Sequence, residues 1–256
     1  NYVSKDKDGK EKIGWNTGWS TEARIKTIIE KGKNYFNSLV KAKGRKVISQ
    51  SMNFDAIEMR DILQSHSSVK DYFVQNEDNL LLFQLEIFTT YLLENGKEIP
   101  IKGALDIVRF NHKDRTIRII DFKSSYSAFN FIQSIKQYGY CDQLSFYDYL
   151  LRQWLVEYCD GKYCEYDILP PMNIVMDINE KYPYVYEYDW QDIALSADGN
   201  SRFLFELYQT NNHGQKIKPG WKAILDEIGW HWTTENWSAP KELIEHGKIK
   251  LNLLNN

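Results

Sequence analysis

Apolar runs are short throughout this sequence, and none approaches the ~20 residues that a membrane helix needs. Cysteine is scarce. Cys141, Cys159 and Cys164 are odd in number and form no Cys-x-x-Cys pair, which excludes a disulfide scaffold and a zinc knuckle. The five histidines, His66, His112, His213, His231 and His246, show no mutual spacing that suggests a zinc site and read as surface or capping residues. With 14 glycines and six prolines among 256 residues, the chain is neither collagen-like nor low in complexity. No repeat recurs along it. No signal-peptide pattern opens the sequence, and it begins at Asn1 rather than Met, so its true start is expected to lie upstream. The few, unpaired cysteines point to a reducing, cytoplasmic compartment as the expectation.

What is present is the composition of an ordinary folded protein, 43% apolar and 26% charged. The net charge of −3 is unevenly spread. Residues 1–46 hold twelve basic and five acidic side chains, and residues 97–123 hold seven against four. Salt screens charges beyond ~8–10 Å, so such local excesses matter at contact distance. The first stretch reads as a solvated, lysine-rich helix; the second lies where the chemistry is.

Residues 1–20 read as a polar tail or loop, and residues 21–256 as a single domain. Ser20-Thr21-Glu22 is a helix entry, with Ile25, Ile28, Ile29 and Phe36 following at helical spacing. Further helices are predicted over Phe54–Leu63 and Val69–Phe73. The period then changes. Residues 80–93 form a strand, Glu94-Asn95-Gly96-Lys97 a hairpin turn, Ile99–Phe110 the returning strand and Thr116–Lys123 a third. A long helical region follows over Ala128–Tyr158, bent at Gly139. Strands at Asn173–Ile178 and Tyr182–Tyr188, a helix at Ile193–Tyr208 and a short helix near Lys241–Glu245 complete the pattern. Trp230, Trp232 and Trp237 are either a base-stacking platform or packing, and packing is the simpler reading.

Gly103-Ala104-Leu105-Asp106 lies on the second strand of this meander and Ile119-Ile120-Asp121-Phe122-Lys123 on the third. Side chains two apart on a strand share a face, so Asp121 and Lys123 point the same way, and Asp106 can reach them from the adjacent strand. A strand as apolar as Ile117–Ile120 makes an Asp and a Lys costly unless they are paired or metal-bound. Two carboxylates beside one ammonium form a hard-cation site suited to Mg²⁺, or Mn²⁺ in its place. Gly103 fits a close backbone approach. Downstream, Gln143 and Tyr147 are four apart and project from one helical face, where an amide and a phenol can hold a nucleic-acid backbone.

The order Gly-x-x-Asp, apolar-Asp-x-Lys, then Gln-x-x-x-Tyr resembles the RecB-type branch of the PD-(D/E)XK nuclease superfamily. Glu86, the segment Lys102–Val108 and the stretch Tyr138-Gly139-Tyr140 through Tyr147 are most similar to the phage-type exodeoxyribonuclease VIII (RecE) group. The resemblance implies an α/β fold of the restriction-endonuclease type, a small mixed sheet flanked by helices. It also implies a Mg²⁺-dependent DNA exonuclease of phage-type recombination or repair, with a single-strand annealing protein as partner. Asp106 and Asp121 would ligate the metal, the Phe122 carbonyl would complete the shell, Lys123 would be the catalytic lysine, and Gln143 and Tyr147 would contact DNA or brace the site.

Departures from the family pattern are visible. Leu105 replaces the proline, Asp121 stands where many members have Glu, and no Gly-x-x-x-His helix appears upstream. Glu86, opposite in parity to Phe83, Leu85 and Ile87, is one candidate for the missing ligand; a helix before Asn1 is another. Two rival readings stand beside the nuclease: a catalytically idle PD-(D/E)XK domain that binds DNA or serves assembly, and an aromatic-rich binder of sugars or peptides.

Overall fold

The computed structural model describes residues 3–5, 11–13, 20–42, 48–199 and 219–246. Contacts divide the chain into two units, Asn1–Ile57 and Glu58–Asn256. The first holds a short antiparallel pair, β1 (Val3–Lys5) and β2 (Glu11–Ile13), with Val3 opposite Ile13. Three-residue strands carry too little alternation to show in the sequence, which reads there as tail. Helix α1 (Thr21–Ala42) begins at Ser20, whose hydroxyl accepts the Ala23 amide at 3.3 Å. Helix α2 (Gln50–Ser65) begins in the same way, Ser49 accepting from Met52 at 3.2 Å.

The second unit is built on one sheet. The turn at Gly96 takes the left-handed φ of +79° that its hairpin requires. It joins β3 (Asn79–Leu92) to β4 (Glu98–Asn111), which pair antiparallel along almost their whole length. Strand β5 (Thr116–Ser125) pairs antiparallel with β4. Gly139, at φ +65° and ψ +38°, breaks the following helical region in two, α3 (Ile132–Tyr138) and α4 (Tyr140–Tyr158), so the sequence's bend is a full interruption. This pair of helices is the crossover that lets β7 (Met172–Asp177) lie parallel to β5, after the short β6 (Asp167–Ile168). Strand β8 (Pro183–Glu187) closes the order β3-β4-β5-β7-β8. The fold is therefore the mixed α/β sheet flanked by helices that the sequence implies.

One face of the sheet carries Leu105, Val108, Phe110, Ile117 and Ile119, packed with Leu144, Leu150 and Leu151 of α4. The other carries Ile107, Ile120, Met172 and Ile174, covered by Met59, Ile62 and Leu63 of α2. Gly103 has the role its position suggests. A Cβ there would stand 2.5 Å from Leu150 Cδ1 and 3.3 Å from the Tyr147 ring.

Helix α5 (Trp190–Asp198) is capped by Asp189 and ends at Gly199; the rest of the helix expected to reach Tyr208 lies outside the described residues, as does His213. The carboxyl end carries α6 (Trp221–Thr234), unforeseen in the sequence, and α7 (Lys241–His246). Of the tryptophans read as platform or packing, Trp230 is buried and donates to Glu245 at 2.7 Å. Trp232 and Trp237 are exposed, the latter stacked on His231.

Candidate active site

Asp121 is 1% exposed and Lys123 follows it on the same face of β5. The lysine ammonium lies 2.9 Å from Asp121 Oδ1 and 2.7 Å from Oδ2, so it bridges the carboxylate. Asn173 of the neighbouring β7 donates to Oδ2 at 2.7 Å, and the Tyr188 hydroxyl in turn donates to Asn173 at 2.6 Å. Behind the lysine stands the Tyr140 ring, 5.0 Å from the ammonium. Asp106 arrives from β4. Its Oδ2 accepts the Phe122 amide at 3.0 Å and its Oδ1 accepts the Gln84 side chain at 2.8 Å.

Burial is the largest influence on Asp121 and pushes its pKa up to about 6; Lys123 opposes the shift and the neighbouring Asp106 adds to it. The cause is plain. A carboxylate taken almost wholly out of water is stabilised by one ammonium and one amide, and shares its corner with a second carboxylate.

The structure thus brings Asp106, Asp121 and Lys123 together, as the sequence predicts. Gln143 and Tyr147 meet each other, the Gln143 amide donating to the Tyr147 hydroxyl at 2.8 Å, and Tyr147 lies over Gly103 on the same helix-covered side. Phe122 touches Asp106 through its amide; its place in the ladder is opposite Ile174. Glu86 stands apart. It is exposed, opposite Ala104, and alternates with Leu85 and Ile87, which pack toward α4 on the side that Asp121 and Lys123 share with Ile117 and Ile119. Among the described residues, no three of His, Cys, Asp and Glu converge on one point. Gln84, Asn173, Tyr188 and Tyr140 were missed by the sequence reading. Only their position in space distinguishes them, since single amides and phenols on strands and helix ends carry no motif.

A family model described as the PD-(D/E)XK nuclease superfamily matches residues 35–166, a little over half of the 256-residue chain. This chain belongs to that superfamily. Nucleases of the PD-(D/E)XK superfamily generally use divalent metals, and DNA is the substrate that membership implies. Comparison with curated proteins finds no match. Among solved structures, the crystal structure of SSO0001 aligns at 12% identity and a TM-score of 0.35, covering 84% of this chain and 72% of that one, a likeness too slight to carry inference.

The residues present fit a hard divalent cation. Both side chains offer oxygen alone, each carboxylate has more lone-pair sites than the donors now on it, and a cation, the Lys123 ammonium, already sits against Asp121. A cation held by Asp121 would need that carboxylate ionised. The metal concentration for half-saturation should therefore rise about tenfold for each pH unit below about 6. Calorimetric titration with Mn²⁺ from pH 5 to 8 checks this; an affinity flat across that range would remove Asp121 from the ligand set.

Proposed function

We propose that this PD-(D/E)XK protein is a Mg²⁺-dependent deoxyribonuclease of the RecB-type branch, similar to the RecE group, that degrades linear DNA from its ends. The convergence of Asp106, Asp121 and Lys123 at one corner of the sheet carries this reading. When bound, the metal supplies charge neutralisation at the phosphate and a more acidic water. The protein's own groups do the rest. Asp106 and Asp121 would hold the cation; the Phe122 amide and Gln84 fix Asp106, and Asn173 fixes Asp121. Lys123, now 2.7–2.9 Å from the Asp121 oxygens, would position the attacking water and offset charge on the phosphate.

Gln143 and Tyr147 form a paired amide and phenol on α4, suited to bracing the site or meeting the strand backbone. The basic stretch 97–123 adds attraction for phosphate. In this reading residues 21–256 act as one nuclease domain, in the cytoplasm of a phage-infected or prophage-carrying host, beside a single-strand annealing protein.

The deciding experiment compares linear with closed circular duplex. With Mg²⁺ or Mn²⁺, linear DNA should be degraded from its ends while the circle survives; in EDTA both should persist. Cutting of the circle would replace exonuclease by endonuclease. DNA binding without cleavage under any metal would favour the idle, binding-only domain instead.

A further inference from the structure

Asp106 is held by two donors, and one of them comes with an unusual backbone. Gln84 has φ +50°, a left-handed conformation that glycine adopts freely and glutamine does not. The antiparallel ladder of β3 and β4 pairs Phe83 with Ile107 and then Leu85 with Leu105, passing over Gln84 and the residue opposite it, Asp106. Both strands change face at this point. Before it on β3, Leu80 and Leu82 pack on the α4 side, and after it Leu85 and Ile87 do; on β4 the set passes from Leu105 to Val108. Two even-numbered and then two odd-numbered residues cannot share one side of a regular strand. The reversal at Gln84 and Asp106 resolves this, and it leaves the two side chains in contact at 2.8 Å.

We propose that Gln84 is a positioning residue of the nuclease site: its amide aims the Asp106 carboxylate at the divalent cation. The inference rests on the nuclease reading above. Glycine would serve the reversal alone with less backbone cost, so the contribution of glutamine is its side chain. That side chain holds Oδ1 while the Phe122 amide holds Oδ2, and together they fix the carboxylate in rotation. Groups that orient a metal ligand in this way matter to affinity although they never touch the metal.

The test uses the full chain as wild type, Gln84→Gly and Gln84→Met, with Mn²⁺ as the calorimetric probe. Thermal unfolding is followed in EDTA, and cleavage of linear duplex is followed against Mg²⁺ concentration. Gln84→Gly should unfold at or above the wild-type temperature, since the left-handed backbone suits glycine, and Gln84→Met close to it. Both should bind Mn²⁺ roughly tenfold more weakly and need correspondingly more Mg²⁺ for half-maximal rate. Wild-type Mn²⁺ affinity in Gln84→Met, in a wild type that binds and cuts, overturns the role of Gln84 alone. Affinity that falls only in step with unfolding temperature in both variants makes Gln84 structural and also overturns it. A wild type that neither binds Mn²⁺ nor cuts DNA overturns the nuclease reading and this inference with it.

Discussion

Cleavage of linear duplex should fall by at least about 10²-fold in Asp121→Ala, in Asp106→Ala and in Lys123→Ala, the loss that follows removal of a preorganised electrostatic group. The three side chains meet at one corner, Lys123 bridging both oxygens of Asp121 and Asp106 bound to the amide of the residue between them. They act as one assembly, so the triple variant should be little worse than a single one. Single-turnover rates, at equal concentrations of folded protein judged by circular dichroism, are the measurement. Near-normal turnover in Asp106→Ala or Lys123→Ala would contradict the assignment of that residue. A triple variant far slower than any single one would show that the groups act independently.

Lys123→Ala should also destabilise the fold, by about 3 kcal/mol at pH 8, because it strands a buried carboxylate without its counter-charge. The pH dependence identifies the cause. Asp121 has a raised folded pKa, about 6 against an ordinary 3.8, so its neutral form suits the fold and its ionised form costs it. Stability from this group is complete below the unfolded pKa and is lost as pH rises through the folded one. Removing Lys123 takes away the main opposing influence and moves the folded value higher still. At pH 5 the carboxyl is largely protonated and the deficit should shrink to about 1 kcal/mol or less. Adding Asp121→Asn to Lys123→Ala should recover most of the loss at pH 8. Urea unfolding in EDTA at the two pH values provides the comparison. An equal deficit at pH 5 and pH 8 would mean that lost packing against Tyr140, rather than the stranded charge, is responsible.

The meander and its motifs were legible in the sequence because each rests on short-range rules. Asn95-Gly96 forces a hairpin, and alternation on β5 puts Asp121 and Lys123 on one face. A four-residue helical step stacks Gln143 on Tyr147. Glu86, a candidate for the missing ligand, is exposed and alternates with Leu85 and Ile87. The face change at Gln84 is not legible in the sequence, because Leu80 to Phe83 are all apolar and only packing separates Leu80 and Leu82 from Leu81. Helix α6 was obscured by its tryptophans, which suit strand, platform and helix alike until their partners are known.

Sequence by itself singled out Asp106, Asp121 and Lys123 as candidate site residues, since they stand out as charges set in apolar strands, where an unpaired charge is costly. Tertiary structure decided how they are held. Asn173 reaches Asp121 only because β7 lies parallel to β5, across the long α3–α4 crossover. Tyr188 reaches Asn173 from beyond β8, and Tyr140 reaches Lys123 because Gly139 breaks the helix just before it. Gln84 reaches Asp106 because two strands change face together. Each of these contacts joins residues far apart in the chain through strand pairing or a backbone reversal. Local propensity encodes neither, because both depend on which partner strand is present and in what register.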